Sequence, residues 1–150
     1  MNASLNHAEI AARIPHAGNM CLLDSMQSAS ETDIVCTAVS HCHSDNPLRS
    51  QGRLGAAVAV EYAAQAMALH GNIRNVDLGV PAQGGRLINV RQLVLHCERF
   101  DDRASPLKVR ATRLMGDVAN VIYSFEVSAD DQMIASGRAG VILVPNESAQ

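Results

Sequence analysis

The chain has no tryptophan, and only two phenylalanines and two tyrosines among 150 residues. Aromatic platforms on which nucleic-acid bases stack are therefore missing. Basic residues are not massed anywhere: twelve Lys and Arg are scattered among fifteen Asp and Glu, for a net charge of −3. That pattern excludes an electrostatic footprint for nucleic acid. No run approaches the roughly 20 apolar residues that a membrane-spanning helix needs. The four cysteines (Cys21, Cys36, Cys42, Cys97) contain no C-x-x-C pair. The first residues lack a basic region followed by an apolar one, so no secretory signal is read. Reduced thiols, acting as small buried hydrophobes in a cytoplasmic protein, are the expectation.

What is present describes an ordered chain: 47% hydrophobic and 18% charged residues. The length suits one compact domain over 1–150. The most informative stretch is Leu54-Gly-Ala-Ala-Val-Ala-Val-Glu-Tyr-Ala-Ala-Gln-Ala-Met-Ala-Leu-His-Gly71, a long apolar helix with seven alanines and Glu61 at its middle. An ionised group stranded in an apolar setting costs several kcal/mol, as a rough figure, unless it is paired or protonated. Alanines around it mean either very close packing against other backbone or a bordering cavity. Glu61 is accordingly the leading candidate for an active-site acid or base, in a dry pocket that raises its pKa.

Around this helix the pattern is mostly β. A short opening helix is expected over 7–13 and strands over 21–29 and 33–42. A polar loop follows over 43–53, then the helix from about 54 to 70, capped by Gly71-Asn72. After a long connection over 73–85 come strands at 86–97, 107–114, 118–128 and 133–144, with turns at 115–117 and at Asp130-Asp131 and a frayed tail at 146–150. Strands linked by short turns pair antiparallel. The fold class is therefore α+β: one long central helix wrapped by a five- to six-stranded antiparallel sheet. Such a curled sheet leaves an edge, and pairing with a second copy manages it, so a homodimer is expected.

Three segments then carry a resemblance: Ile14-Pro-His-Ala-Gly-Asn-Met-Cys-Leu-Leu-Asp24, Val60-Glu-Tyr-Ala-Ala-Gln-Ala-Met67 and Gly85-Arg-Leu-Ile-Asn-Val-Arg91. They resemble the hotdog-fold 3-hydroxyacyl-carrier-protein dehydratases, in particular the shorter ApeP-like group associated with aryl-polyene-type lipid synthesis. The group's Pro-Leu, Gly and helix pattern corresponds to Pro47-Leu48, Gly52 and Glu61 to Ala68. The resemblance implies a hotdog fold and dimers, which can assemble further or pair with a related dehydratase. It also implies a substrate held as a thioester on acyl carrier protein, and loss of water across the 2,3-bond without metal or organic cofactor. The family's catalytic pair is a helix carboxylate, matched by Glu61, and a loop histidine. In the corresponding stretch, Ser44-Asp-Asn-Pro-Leu-Arg49, Asn46 stands where that histidine is expected.

Substitutes for the missing imidazole are sought nearby. His41 and His43, spaced by two at the end of the second strand, would face one side and supply a base. A metal reading of His41-Cys42-His43 lacks a second ligand pair. Asn46 could instead polarise a thioester carbonyl or position water for hydrolysis, or be an ordinary pre-proline loop residue. The N–H groups of Gly55 and Ala56 at the helix start form a candidate oxyanion site. Gln65, one turn beyond Glu61, could orient it. His16 is read as fixing its turn, and His70 as a cation favoured at the helix C-terminus. Arg49 and Arg53 form a weak candidate docking patch for an acidic carrier. Three functions stay open: dehydratase, thioesterase, or a catalytically silent acyl-binding subunit that pairs with a competent dehydratase.

Overall fold

The computed structural model describes residues 3–16, 18–81, 83–117 and 119–145. The expected tail at 146–150 and the strand start at Val118 lie outside them. The architecture is α+β as expected, but the antiparallel sheet has seven strands instead of five or six. These are β1 (Leu5–Asn6), β2 (Ser25–Ala29), β3 (Asp33–Ala38), β4 (Gln83–Leu95), β5 (Leu107–Gly116), β6 (Asn120–Ala129) and β7 (Gln132–Pro145). The extra one is β1, two residues too short to leave a pattern. Helix α1 (His7–Ala11) lies between β1 and β2, and the long helix α2 (Ala59–Leu78) between β3 and β4.

Local chemistry accounts for these boundaries. A capping box starts α1: the Asn6 side chain accepts from Glu9 N at 2.9 Å, while Glu9 Oε1 accepts from Asn6 N at 3.1 Å. Asp130 and Asp131 take φ of 51° and 60°, and two successive positive φ values turn β6 tightly into β7. Helix α2 opens through a 3-10 turn at Ala56–Val58 and ends eight residues later than expected, at a left-handed Gly79. There Gly79 N donates to Val76 O at 3.2 Å and Val80 N to Asn75 O at 2.8 Å, the two bonds of a Schellman cap. Gly71-Asn72 does not stop the helix because Ile73, one turn beyond Leu69, is buried against the sheet and holds the final turns in place.

The sheet order is β1-β2-β3-β5-β6-β7-β4. Alternation along β5 and β6 buries Val109, Ala111, Tyr123, Phe125 and Val127, and α2 lays Ala59, Tyr62, Ala63, Ala66 and Leu69 among them. The alanines thus serve close packing of helix on sheet. His70 is not terminal: it is mid-helix and fully buried, with Nε2 donating to Ser30 O and Nδ1 accepting from Tyr123 Oη, both at 2.8 Å. Among the described residues strand β4 pairs with β7 alone and forms one edge of the sheet. It runs for thirteen residues and exposes Leu87, Ile88, Leu93, Val94 and Leu95.

Two consequences can be measured. At Gly137 an added Cβ would stand 3.0 Å from buried Phe125 Cζ and 3.2 Å from Arg91 O. Gly137→Ala should therefore cost about 1–3 kcal/mol in urea unfolding, as overpacked positions do. Burial also pushes the His70 and His41 imidazoles below the ordinary 6.5. Each fold-bound ring stays neutral while the unfolded chain takes up protons, so stability is lost as pH falls below 6.5. Unfolding free energy should be lower at pH 5.5 than at pH 7.5, with a shallower slope in His70→Gln; equal slopes would contradict the assignment.

Candidate functional site

Helical spacing puts Ala57 of the opening 3-10 turn and Glu61, Ala64 and Ala68 of α2 on one stripe, and this is the less buried side of the helix. Small neighbours leave the Glu61 carboxylate uncovered, with 37% of its side chain exposed in the single chain. The dry surroundings expected for it are therefore not supplied by this chain's own core. Glu61 does have a partner: His16 Nε2 lies 3.3 Å from its Oε1. His16, read from sequence as a turn-fixing residue, is instead the imidazole that meets the helix carboxylate. Its Nδ1 is enclosed and has no hydrogen-bond partner among the described residues.

Gln65 explains how His16 comes to be there. Its side chain is fully buried and makes two bonds to the segment just after the His16 turn. Oε1 accepts from Leu22 N at 2.8 Å, and Nε2 donates to Met20 O at 2.7 Å. The amide is committed to that segment and not to Glu61. A peptide's N–H and C=O are matched by one amide's O and NH₂, so the loop is clamped four residues downstream of His16.

Asn46, expected beside a thioester, is buried and bonded at both ends. Its Nδ2 donates to Ser40 O at 3.0 Å and to Tyr62 Oη at 3.1 Å, and its Oδ1 accepts from Leu48 N at 2.9 Å. Ser40 Oγ donates to Leu22 O at 2.7 Å, so it must accept from Tyr62 Oη, 2.8 Å away. Asn46, Tyr62, Ser40 and Leu22 thus form a directed buried chain that fixes the loop. It leaves no free amide to polarise a carbonyl.

His41 and His43 are not on a strand, because β3 ends at Ala38 and a 3-10 turn spans Ser40–Cys42. His41 is buried, stacks near Phe100 with ring centroids 6.3 Å apart, and donates Nε2–H toward Arg103 O and Ser105 O at 2.9 and 3.1 Å. His43 is exposed and lines a cavity of about 340 Å³ with His7, Asn19, Asp24 and Asp45. Among the described residues neither ring is hydrogen-bonded or ion-paired to Glu61. No group of three or more His, Cys, Asp or Glu suited to a metal ion is gathered among the described residues.

At the helix start, Ala56 N is already taken, donating to Glu98 O at 2.9 Å, and so is not a free oxyanion donor. Phe100 N donates to Leu54 O at 3.1 Å on the other side of the Gly55–Arg99 bridge. Those two bonds leave the Gly55 N–H pointing away from the bridge. Arg49 is no docking residue: it donates to His43 O, Gly52 O and His41 O at 2.8, 2.6 and 3.0 Å. It also lies 3.7 Å from Asp101, whose carboxyl is held far below its usual range, chiefly by the Arg99 guanidinium and also by Leu54 N–H. The loop between β3 and α2 is thereby tied at both ends.

Comparison with known proteins follows this geometry. No curated protein matches the chain. Among solved structures, it is similar to the dehydratase heterocomplex ApeI:P from Xenorhabdus doucetiae, with a TM-score of 0.81 at 22% identity, covering 93% of this chain and 92% of that one. It is similar also to AziG from S. sahachiroi (0.59, 10% identity, 81% of this chain and 90% of that one). A hypothetical thioesterase with coenzyme A from Streptococcus pneumoniae gives 0.57 at 9% identity, over 81% and 85%. These likenesses bear out the hotdog fold. The sequence profile described as ApeP dehydratase matches residues 8–150. With nearly the whole length matched, the chain belongs to the ApeP-like dehydratase family.

Proposed function

We propose that the protein removes water from a 3-hydroxyacyl thioester carried on acyl carrier protein, with His16 and Glu61 as the proton-transferring pair. The observation that carries this reading is the 3.3 Å approach of His16 Nε2 to Glu61 Oε1 on the open stripe of α2. Elimination takes a proton from C2, forms the C2–C3 double bond, and breaks the C3–O bond as the hydroxyl gains a proton. His16 accepts the C2 proton and the Glu61 carboxyl gives one to the departing hydroxyl, so two groups exchange roles and the pair ends with the protons it began with. The Gly55 N–H is the donor this chain offers to a thioester carbonyl, whose oxygen gains charge as C2 loses its proton.

Membership of a dehydratase family supports this reaction class over hydrolysis. So does the bonding of Asn46, which leaves no amide for the thioesterase alternative. A second reading keeps the chemistry but divides it between chains. The long exposed edge β4 favours pairing with another hotdog subunit, as does likeness to one chain of a dehydratase heterocomplex. A subunit lying over the Ala57–Glu61–Ala64 stripe would exclude water from a carboxylate that this chain leaves exposed. A related dehydratase fits that place as well as a second copy does.

Turnover of a 3-hydroxyacyl carrier protein, followed by mass spectrometry, tests the proposal. Glu61→Gln and His16→Asn should each slow loss of water by roughly 10²–10⁴-fold, while keeping the native unfolding temperature. His43→Ala should stay within a few-fold of the native protein. Intact substrate with the native protein alone, but turnover after adding the partner dehydratase, would select the two-chain reading. Intact substrate in both cases would sink the dehydratase.

Gln65→Met keeps the side chain's volume but loses the clamp on Met20 and Leu22. Its kcat should fall by about tenfold or more, because a misplacement of about 1 Å can cost 10²-fold. KM should change little; a rise in KM alone would show that Gln65 does not position His16.

A further inference from the structure

On the face of the sheet turned away from α2, a hollow of about 270 Å³ opens over Gly140. Register defines its walls. Gly140 pairs with Asn89 on β4 and Ile122 on β6, and Arg138, two residues back on β7, pairs with Arg91. Ala139 between them faces the core, so Arg138 and Gly140 point outward, as Arg91 and Asn89 do beside them. Asn120 on β6 completes the rim. Gly140 has an ordinary backbone; what it lacks is a side chain. The Asn89 amide lies over it, so a Cβ there would stand 2.9 Å from Asn89 Oδ1 and 3.1 Å from Nδ2 and would displace that side chain.

Two like charges directly opposed across strands, roughly 5 Å apart, destabilise a sheet. Neither Arg91 nor Arg138 has an ion-pair or hydrogen-bond partner among the described residues. Glu126 on this face is directly opposite Arg110 on β5 and opposite Ser136 on β7, diagonal to Arg138 but not ion-paired with it. An uncompensated arginine pair above a hollow rimmed by two amides is the arrangement that recognises an anion. Two guanidinium forks and two NH₂ groups outnumber the acceptor sites of a lone carboxylate. They match a tetrahedral dianion with three free oxygens. Asn89 and Arg91 come from the Gly85–Arg91 segment, which the Glu61 site does not use.

We propose that this hollow binds a phosphate group, as free phosphate or as the phosphomonoester of a nucleotide, with Arg91 and Arg138 as its charged ligands. The site is on the opposite face of the sheet from Glu61 and does not depend on the dehydratase reading.

Calorimetric titration of the full chain with inorganic phosphate, at constant ionic strength, tests it. The native protein should bind saturably and unfold at a higher temperature in phosphate. Arg138→Gln should bind at least about tenfold more weakly, the loss expected for one charge-assisted contact. Without phosphate, Arg138→Gln should be as stable as the native protein or more so, since repulsion has been removed. Gly140→Ala, which displaces the Asn89 amide and leaves both charges, should also weaken binding. Non-saturable heats, or equal binding by the native protein and Arg138→Gln, would overturn the site. So would a variant that is less stable without phosphate, because the pair would then be structural. Coenzyme A and dephospho-coenzyme A separate the two sources. Coenzyme A binding more tightly than phosphate, with dephospho-coenzyme A weaker, assigns a nucleotide phosphate; coenzyme A no tighter than phosphate assigns the free anion.

Discussion

One buried amide governs the candidate site. Gln65 is fully buried on α2, where an unpaired amide costs about 1–3 kcal/mol. It finds partners only if the chain around Met20–Leu22 runs close to α2 in a fixed register. That requirement turns an N-terminal segment with almost no regular structure into a rigid arm. The arm's free end carries His16, and the same helix, one turn earlier, carries Glu61. Histidine and carboxylate therefore meet through two positions of one helix, one of which holds the loop while the other faces outward.

The loop between β3 and α2 shows the opposite use of polar groups. Asn46 stands where the resemblance led a histidine to be expected, and its amide joins Ser40 O, Tyr62 Oη and Leu48 N. Arg49 gathers three carbonyls of the same loop and faces Asp101. Truncating any member of such a network leaves others buried without partners, so the loop behaves as part of the core. The imidazole that approaches Glu61 therefore comes from a different loop, the one carrying His16, while the loop around Asn46 is part of the packed scaffold.

Much of this was legible from the sequence, and the exceptions have physical reasons. The long helix, the strand periodicity and the Asp130-Asp131 turn followed from local patterning. The stop at Gly71 did not hold because tertiary burial of Ile73 outweighed a local breaker, while Gly79 followed by Pro81 was the stronger signal. Two-residue β1 has no periodicity to detect. Glu61 stood out because a carboxylate contradicts its surroundings. His16 did not, because its role depends on a contact spanning 45 residues of sequence, made possible by Gln65. His41 was expected beside His43 on one side of a strand, yet the 3-10 turn after β3 buries its ring. Isolated residue chemistry could not distinguish Asn46 in a pocket from Asn46 in a buried network; only the positions of Ser40 and Tyr62 decide it.

Strand β4 carries a consequence for how the protein behaves in concentrated solution. Its thirteen residues form an edge of the sheet with several bare aliphatic side chains, a template for any extended chain. Such an edge stays harmless only while something covers it. A copy left uncovered templates its neighbours, so precipitation rises with the concentration of uncovered chain and needs no loss of the native fold.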